Sequence, residues 1–378
     1  MAKFTRLMFK NLLRTRRRTL LTILSIAVAL FMFAVLVSLP TFANQMLADT
    51  ASSVRIISRT KMGFAYPLPE AYKLKIATLP HVVAVAALVI YGGIYHEARD
   101  QFPSVATDAE EIGMWSDWGL TGVDEFKKIK TACLVAQGTM RRFNLHVGQQ
   151  IELRGTVYPF NVTLTIVGTI AKGPVPSFLI FRRDYFEEAA GNAGIVHEFW
   201  VRTDDSRVVP EVAAAIDNQF ANSPAETRSA SEAAAVGSIL GRYRIFMRLA
   251  AFLGLVAVVA IGLVAANTAA MSIRERRSEI AVMRSIGFPS GMILSLLVGE
   301  SLIVALSGGA IGCGVAFGLF KVFALNADAL GPFVSLHVPP FVLAETLGVA
   351  ALIGLFSAYV PARAAAKRSI VETLRLVD

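Results

Sequence analysis

Cysteine, histidine and charge are all scarce in this 378-residue chain. The two cysteines, Cys133 and Cys313, sit in segments of different character, one polar and one apolar. A bridge between them is not expected, so the compartment cannot be read from cysteine. The five histidines (His81, His96, His146, His197, His337) are scattered, with no pair at metal-ligand spacing, which argues against a metal site. Charged residues make up 17% of the chain, against about 25% in an ordinary soluble domain. There is no G-x-S-x-G nucleophile elbow and no G-x-x-x-x-G-K-[ST] phosphate loop. Neither catalytic nor cofactor-binding residues can be nominated, and nucleotide chemistry on this chain has no motif to rest on.

Apolar residues, by contrast, make up 54% of the sequence, and mean hydropathy is +0.56. That profile belongs to the membrane class. A hydrocarbon core of about 30 Å needs roughly 20 apolar residues in a helix. Four stretches qualify: Leu20–Leu39, Leu249–Met271, Met292–Leu325 and Phe341–Val360. The third holds Glu300 and Lys321, and the fourth Glu345 near its start. The first follows Arg14, Arg16, Arg17 and Arg18, and Thr41-Phe42-Ala43 offers a cleavage site, so a signal peptide is the rival reading. A signal h-region is only about 7–15 residues long, which favours a retained span.

The net charge of +9 invites a nucleic-acid reading, but its distribution opposes one. Residues 44–245 hold 20 Lys/Arg and 21 Asp/Glu; the other segments hold 17 and 7. The excess therefore flanks the apolar runs. Lys3, Arg6 and Lys10 join the arginine run before the first span. Arg274, Arg276, Arg277 and Arg284 lie between the second and third, and Arg363, Lys367, Arg368 and Arg375 after the fourth. The 326–340 segment has no Lys or Arg. By the positive-inside rule, both termini face the cytoplasm.

The expected organisation is thus membrane α-helical, with four transmembrane helices and an α+β domain inserted between helices 1 and 2. Residues 1–43 form the basic N-terminus and first span, and 44–245 the extracytoplasmic domain. Span two is 246–273, a cytoplasmic loop 274–290, span three 291–325, a short outer loop 326–340, span four 341–361 and the tail 362–378.

In the outer domain, Val54–Ile57, Val82–Tyr95 and His197–Thr203 read as strands, and Pro69–Thr78 and Val208–Phe220 as helices. Ile151–Leu153 and Asn161–Ile170 read as strands of a smaller β-rich insert in an α/β core. Trp115 and Trp118 read as packing residues in preference to a binding surface, and Pro174-Val175-Pro176 as a rigid turn.

The most informative segment is Asn267–Gly287, NTAAMSIRERRSEIAVMRSIG. As one helix it places Ile273, Ile280, Met283 and Ile286 near one face, with Glu275 and Glu279 one turn apart. Composition alone leaves two readings, a short amphipathic helix at the cytoplasmic surface or a solvated, lipid-facing helix that only satisfies the positive-inside bias. Glu300 would be costly inside lipid and usually functional there; span three is over-long, so an interfacial position paired with basic residues is preferred. Gly308-x-x-x-Gly312 and Gly314-x-x-x-Gly318 permit close helix approach, within one subunit rather than at a dimer seam.

Residues Asn267, Met271, Ser272, Glu275, Arg276, Glu279, Ile280, Ala281, Val282, Arg284 and Gly287 resemble the signature of the MacB/FtsX/LolC-type ABC transporter permeases. Glu300, the glycines Gly308, Gly309 and Gly312, Pro361–Ala365, and Glu372, Leu374 and Arg375 follow in the same order, and Leu145–Ile151 also fits. The resemblance covers both ends and the last third and is thin over 50–135, so cargo class is not carried over.

It implies a permease that docks an ABC-type ATPase dimer through Glu275, Arg276, Glu279, Ile280, Met283, Arg284 and Gly287, with Arg363 and Arg375 as cytoplasmic contacts. ATP and Mg would belong to that partner, leaving no cofactor in this chain. A second permease subunit, homo- or heteromeric, and membrane lipids are further implied partners, and no nucleic acid. A membrane-fusion adaptor and an outer-membrane channel are left open. The expected location is the bacterial cytoplasmic (inner) membrane. The work implied is export or extraction of lipophilic or peptide-like cargo; the alternative is FtsX-like signalling to a partner such as a cell-wall hydrolase.

Overall fold

A computed structural model of the chain describes residue 14 and residues 16–50, 53–63, 66–172, 177–323 and 340–367. The Pro174–Pro176 turn, nearly all of the 326–340 loop, and Arg375 fall outside them. The chain forms two compact units, one centred on Ala43–Tyr243 and one made of Met1–Phe42, Arg244–Val322 and Leu336–Asp378.

The second of these holds the long helices: α1 (Arg16–Thr50, whose last residues belong to the other unit), α8 (Arg244–Glu275), α10 (Ser290–Phe323) and α11 (Pro340–Lys367). All four are long and apolar enough to cross a membrane. Each is apolar around its circumference, as a helix between lipid and other helices must be. Their shared core includes Ile26 and Leu30 of α1, Ile261 and Ala265 of α8, Ala305 of α10, and Ala350 and Ile353 of α11. Helix α11 continues through Pro361 to Lys367, past the expected end of the fourth span.

The other unit is built on β1 (Arg55–Thr60), β2 (Leu68–Pro69), β3 (Val82–Ile90), β4 (Gly93–Ile94), β5 (Ser104–Thr107), β6 (Ala132–Ala136), β7 (Gln150–Gly155), β8 (Asn161–Ile170), β9 (Leu179–Arg182), β10 (Ile195–Val196), β11 (Glu198–Thr203) and β12 (Thr227–Ser231). Its helices are α2 (Tyr72–Ala77), α3 (Val123–Lys128), α4 (Gln137–Arg142), α5 (Arg183–Ala189), α6 (Val209–Gln219) and α7 (Glu232–Arg242). Ten strands form one sheet in the order β12-β1-β11-β3-β5-β9-β6-β8-β7-β4. Among the described residues only β5/β9 and β6/β8 pair in parallel.

The strand–helix–strand pattern reads as an α/β core, and in the sheet most of its pairings are antiparallel. Strand β11 lies between β1 and β3 and is antiparallel to both. Strand β1 likewise lies between β11 and β12. The units β1-α2-β3 and β11-α6-β12 therefore interleave as two split βαβ units. Strands β7 and β8, read as part of a smaller β-rich insert, lie in the same sheet, with β8 paired to β6 and β7 to β8.

Alternation assigns the two faces. Ile56, Phe199 and Val201 point to the side covered by α2 and α6. Ile57 and Trp200 point to the other, where Trp115 and Trp118 are buried in the core. The tryptophans are thus packing residues. They sit on a 3₁₀ segment, Glu110–Trp118, that hydrophobic periodicity did not reveal.

Burial also sets up a pH response. His197 is 5% exposed, and its Nδ1 accepts the Ile90 N–H at 3.2 Å. Burial holds the imidazole below its ordinary pKa. Protonation of Nδ1 would break that bond. A group whose pKa is depressed on folding stabilises fully above its unfolded value of about 6.5, and the contribution is lost as pH falls below it toward the folded pKa. The melting temperature of the full chain should therefore drop between about pH 7 and pH 5, and drop less in His197→Asn. Parallel pH profiles for the two proteins would remove His197 as the cause.

Candidate functional site

Helix α8 ends at Glu275, and Arg276 leaves helical geometry at φ −105° and ψ 19°. The chain then turns into a nine-residue helix, α9 (Arg277–Ser285). Its end is a Schellman motif: Gly287 N–H donates to the Arg284 carbonyl at 3.0 Å and Phe288 N–H to Met283 at 3.1 Å. Gly287 has φ +96°, the left-handed backbone that the motif requires.

The segment Asn267–Gly287 is therefore two helices and not one, which corrects the expected shared face for Glu275 and Glu279. The apolar face also differs in one residue. Ile273, Ile280 and Met283 pack with Ile293, Leu297 and Ala362. Ile286 is 71% exposed, because the helix has ended and the chain turns away.

The acids of the segment are taken up within the chain. Arg18 Nη1 donates to Glu275 Oε2 at 2.5 Å, and its Nη2 to Ser272 Oγ at 3.1 Å. Arg14 pairs with Glu279. Arg276 Nε reaches Glu279 Oε2 at 3.0 Å, and its Nη1 reaches Glu300 Oε2 at 2.7 Å. Burial alone would raise the Glu279 carboxyl, but Arg276 and Arg14 hold it below the usual carboxylate range. Glu300 is buried at 9% exposure and pairs with Arg276. Three arginines and three carboxylates thus tie α1, the α8–α9 junction and α10 together. Beside them lies a cavity of about 190 Å³ lined also by the hydroxyls of Thr22, Thr268, Ser301 and Ser357.

Other nominated residues are placed as follows. Arg284 is half-buried in the last turn of α9. Arg363 donates to Tyr359 Oη at 3.3 Å, one turn back on its own helix. Gly308 and Gly312 lie against α1, where added Cβ atoms would meet Ile26 and the Ala27 carbonyl. Gly314 and Gly318 have nothing within 4 Å of an added Cβ. These two are not packing residues within the described chain, because the Gly-x-x-x-Gly spacing repeats on a different face of the helix.

Two features of the site went unread in the sequence. Arg14 and Arg18 counted only as orientation charges, although their spacing of four matches that of Glu275 and Glu279. Val282, Ile286 and Phe288, exposed by 55%, 71% and 37%, present an apolar outer tip on α9 and its exit. Their signal was the apolar residues left over once the inner face of α9 was accounted for. Among the described residues no group of acids, histidines or cysteines could hold a metal ion.

The family model of the MacB-like periplasmic core domain matches residues 19–219, and that of the FtsX-like permease C-terminal matches 251–370. An uncharacterized ABC transporter permease of Methanocaldococcus jannaschii is 26% identical over 97% of this chain and 96% of its own length. The macrolide export ATP-binding/permease protein MacB of Chromobacterium violaceum is 33% identical over 33% of this chain, a match that spans 19% of that protein. Among solved structures, the periplasmic region of MacB from Actinobacillus actinomycetemcomitans aligns with a TM-score of 0.37 at 9% identity, covering 50% of this chain and 94% of that one. The extracellular domain of the ABC-type transporter YknZ from Gram-positive bacteria aligns at 0.35 and 11%, covering 47% and 99%.

Proposed function

Since the chain belongs to the MacB/FtsX-type ABC transporter permeases, we propose that it couples hydrolysis on a separate ATPase dimer to movement of its 44–245 domain. That movement exports or extracts lipophilic or peptide-like cargo from the outer leaflet or the space beyond. Export is favoured over signalling by the relatives named as macrolide exporters. The basic residues flanking the spans support a cytosolic position for α9, where an ATPase would meet it.

The observation that carries this reading is the division of α9 into two faces. Its inner face is fixed to α10 and α11 through Ile280 and Met283, and its one acid, Glu279, is held by Arg14 and Arg276. Its outer tip offers Val282, Ile286 and Phe288. A helix clamped on one side and apolar on the other can pass on a push without tilting in its socket. Apolar tip residues would carry the affinity, while Glu279 and Arg284 set the transmission.

Co-purification from membranes separates the two roles. Val282→Glu and Ile286→Glu should reduce recovery of the ATPase by about tenfold or more, because a charge buried at an apolar contact costs more than the roughly 1.4 kcal/mol that tenfold represents. Glu279→Gln and Arg284→Gln should retain the ATPase but lower coupled hydrolysis. Undiminished recovery with both glutamates would remove the tip from the site. Unchanged coupled activity in both glutamines would remove Glu279 and Arg284.

A further inference from the structure

The unit built on the ten-stranded sheet contains a buried guanidinium. Arg55 opens β1, the first strand after α1, and its side chain is 7% exposed. A charge so placed is destabilising unless fully paired, and here it is. Its Nε donates to Glu232 Oε2 at 2.7 Å. Its two terminal nitrogens grip both oxygens of Asp117 at 2.5 and 2.8 Å, a bidentate fork. Nη1 also donates to the Met114 carbonyl at 3.1 Å, and the guanidinium lies 5.6 Å from the Trp118 ring centre. Glu232, 3% exposed, accepts a further bond from Ser53 Oγ at 2.5 Å.

Glu232 matters because of where it stands. It is the first residue of α7, which is capped by Ser231 Oγ accepting Ala234 N–H at 3.1 Å. Helix α7 passes through Tyr243 into α8, the second span. Apolar packing of α7 is thin. Its sequence is EAAAVGSILGR, and Ala235 and Val236 are the apolar residues buried on it among those described. Helix α6, of equal length, buries Val209, Val212, Ala213 and Ile216. Small side chains give little burial, and Glu232 adds a buried polar attachment of α7 to Arg55 on β1. Ala235 itself sits against the Trp115, Trp118 and Trp200 cluster, on the sheet face that the Arg55 network borders.

We infer that Arg55, with Glu232 and Asp117, is a positioning cluster that clamps α7 to the sheet, so that displacement of the second span reaches the outer domain as a rigid movement. Without the clamp, the turn between β12 and α7 would absorb the displacement. This inference rests on the permease reading above for its mechanical consequence, but not for the clamp itself.

The side-chain contacts supply the test. In the full chain carrying Glu232→Gln, in lipid nanodiscs with its co-purified ATPase, the side chain keeps its shape but no longer offers Arg55 a charge. Amide exchange over 232–242 should quicken at least about tenfold while 132–136 and 162–170 stay protected, and coupled hydrolysis should fall by a similar factor. Protection of 132–136 and 162–170 separates this result from a variant that had merely lost its fold. Asp117→Asn, on the more exposed side of the cluster, is the milder variant and should quicken exchange over the same segment to a lesser extent. Unchanged exchange over 232–242 in both variants overturns the clamp. Quickened exchange with undiminished coupling overturns its role in transmission. The exchange measurement needs no ATPase, so it judges the clamp even if the permease reading fails.

Discussion

Replacing Glu300 by alanine should uncouple the protein while leaving the ATPase attached to it. The carboxylate sits in α10, 2.7 Å from Arg276, the residue at which α8 stops and α9 begins. Removing one partner of a buried pair costs about 3–5 kcal/mol, because the other charge stays behind uncompensated. Arg276 is 17% exposed and keeps Glu279 as a second partner, so the lower end of that range applies. The loss falls on the junction that sets the direction of α9. The apolar packing of Ile280 against Ile293 and Leu297 remains, and so does the exposed tip. The expected result is a lower melting temperature and coupled hydrolysis reduced at least about tenfold, with ATPase recovery near that of the unaltered protein. Glu300→Gln keeps shape and one acceptor oxygen and should fall between the two. Full coupled activity in Glu300→Ala would show that the Arg276 contact only satisfies a charge. Loss of the ATPase from membranes would instead place the docking surface at the ion network and not at Val282, Ile286 and Phe288.

The four spans were legible because length and hydropathy are local properties, and Leu249–Met271 contains its own argument. Some strands were legible for the same reason, as Asn161–Ile170 alternates within itself, whereas β5, β6, β9 and β12 drew no reading. Sheet order was not, because it depends on partners far apart in the chain. Nothing near Arg55 announces that its neighbour across the ladder is Arg202 on one side and, one residue on, Ser231 on the other. A strand–helix–strand run reads equally well as adjacent parallel strands or as a split unit holding a third strand, and here β11 fills the gap.

The site shows the same division. The charges of Asn267–Gly287 were visible, but Arg14, Arg18 and Glu300, which pair with them, are brought alongside by packing that no window of sequence contains. Periodicity placed Ile286 on the inner face because periodicity assumes that the helix continues. Gly287 ends it one residue later, and that left-handed turn converts a core position into an exposed one.

Helix packing in the membrane unit gives the other large effect. A Cβ on Gly312 would lie 2.5 Å from the Ala27 carbonyl oxygen and 3.0 Å from the Phe31 nitrogen. Both are backbone atoms of α1, so no rotamer change can relieve the clash, and the whole helix must retreat. One turn earlier, Gly308 would press on the Ile23 carbonyl at 2.9 Å, and α1 has little freedom there because Ile26 and Leu30 are already buried between α8, α10 and α11. Overpacking usually costs about 1–3 kcal/mol, and backbone contact puts Gly312→Val at or above the top of that range. The retreat would also carry Arg14 and Arg18 away from Glu279 and Glu275, so the ion network should fail with the packing. We expect Gly312→Val to accumulate poorly in membranes and to lose coupled activity in what remains. Gly314→Val is the control: nothing lies within 4 Å of its added Cβ, and the fold of the chain should tolerate it. If the two variants accumulate and melt alike, close approach of α1 and α10 does not hold the bundle together. If Gly312→Val alone fails, the loss belongs to that contact and not to the lower glycine content of α10.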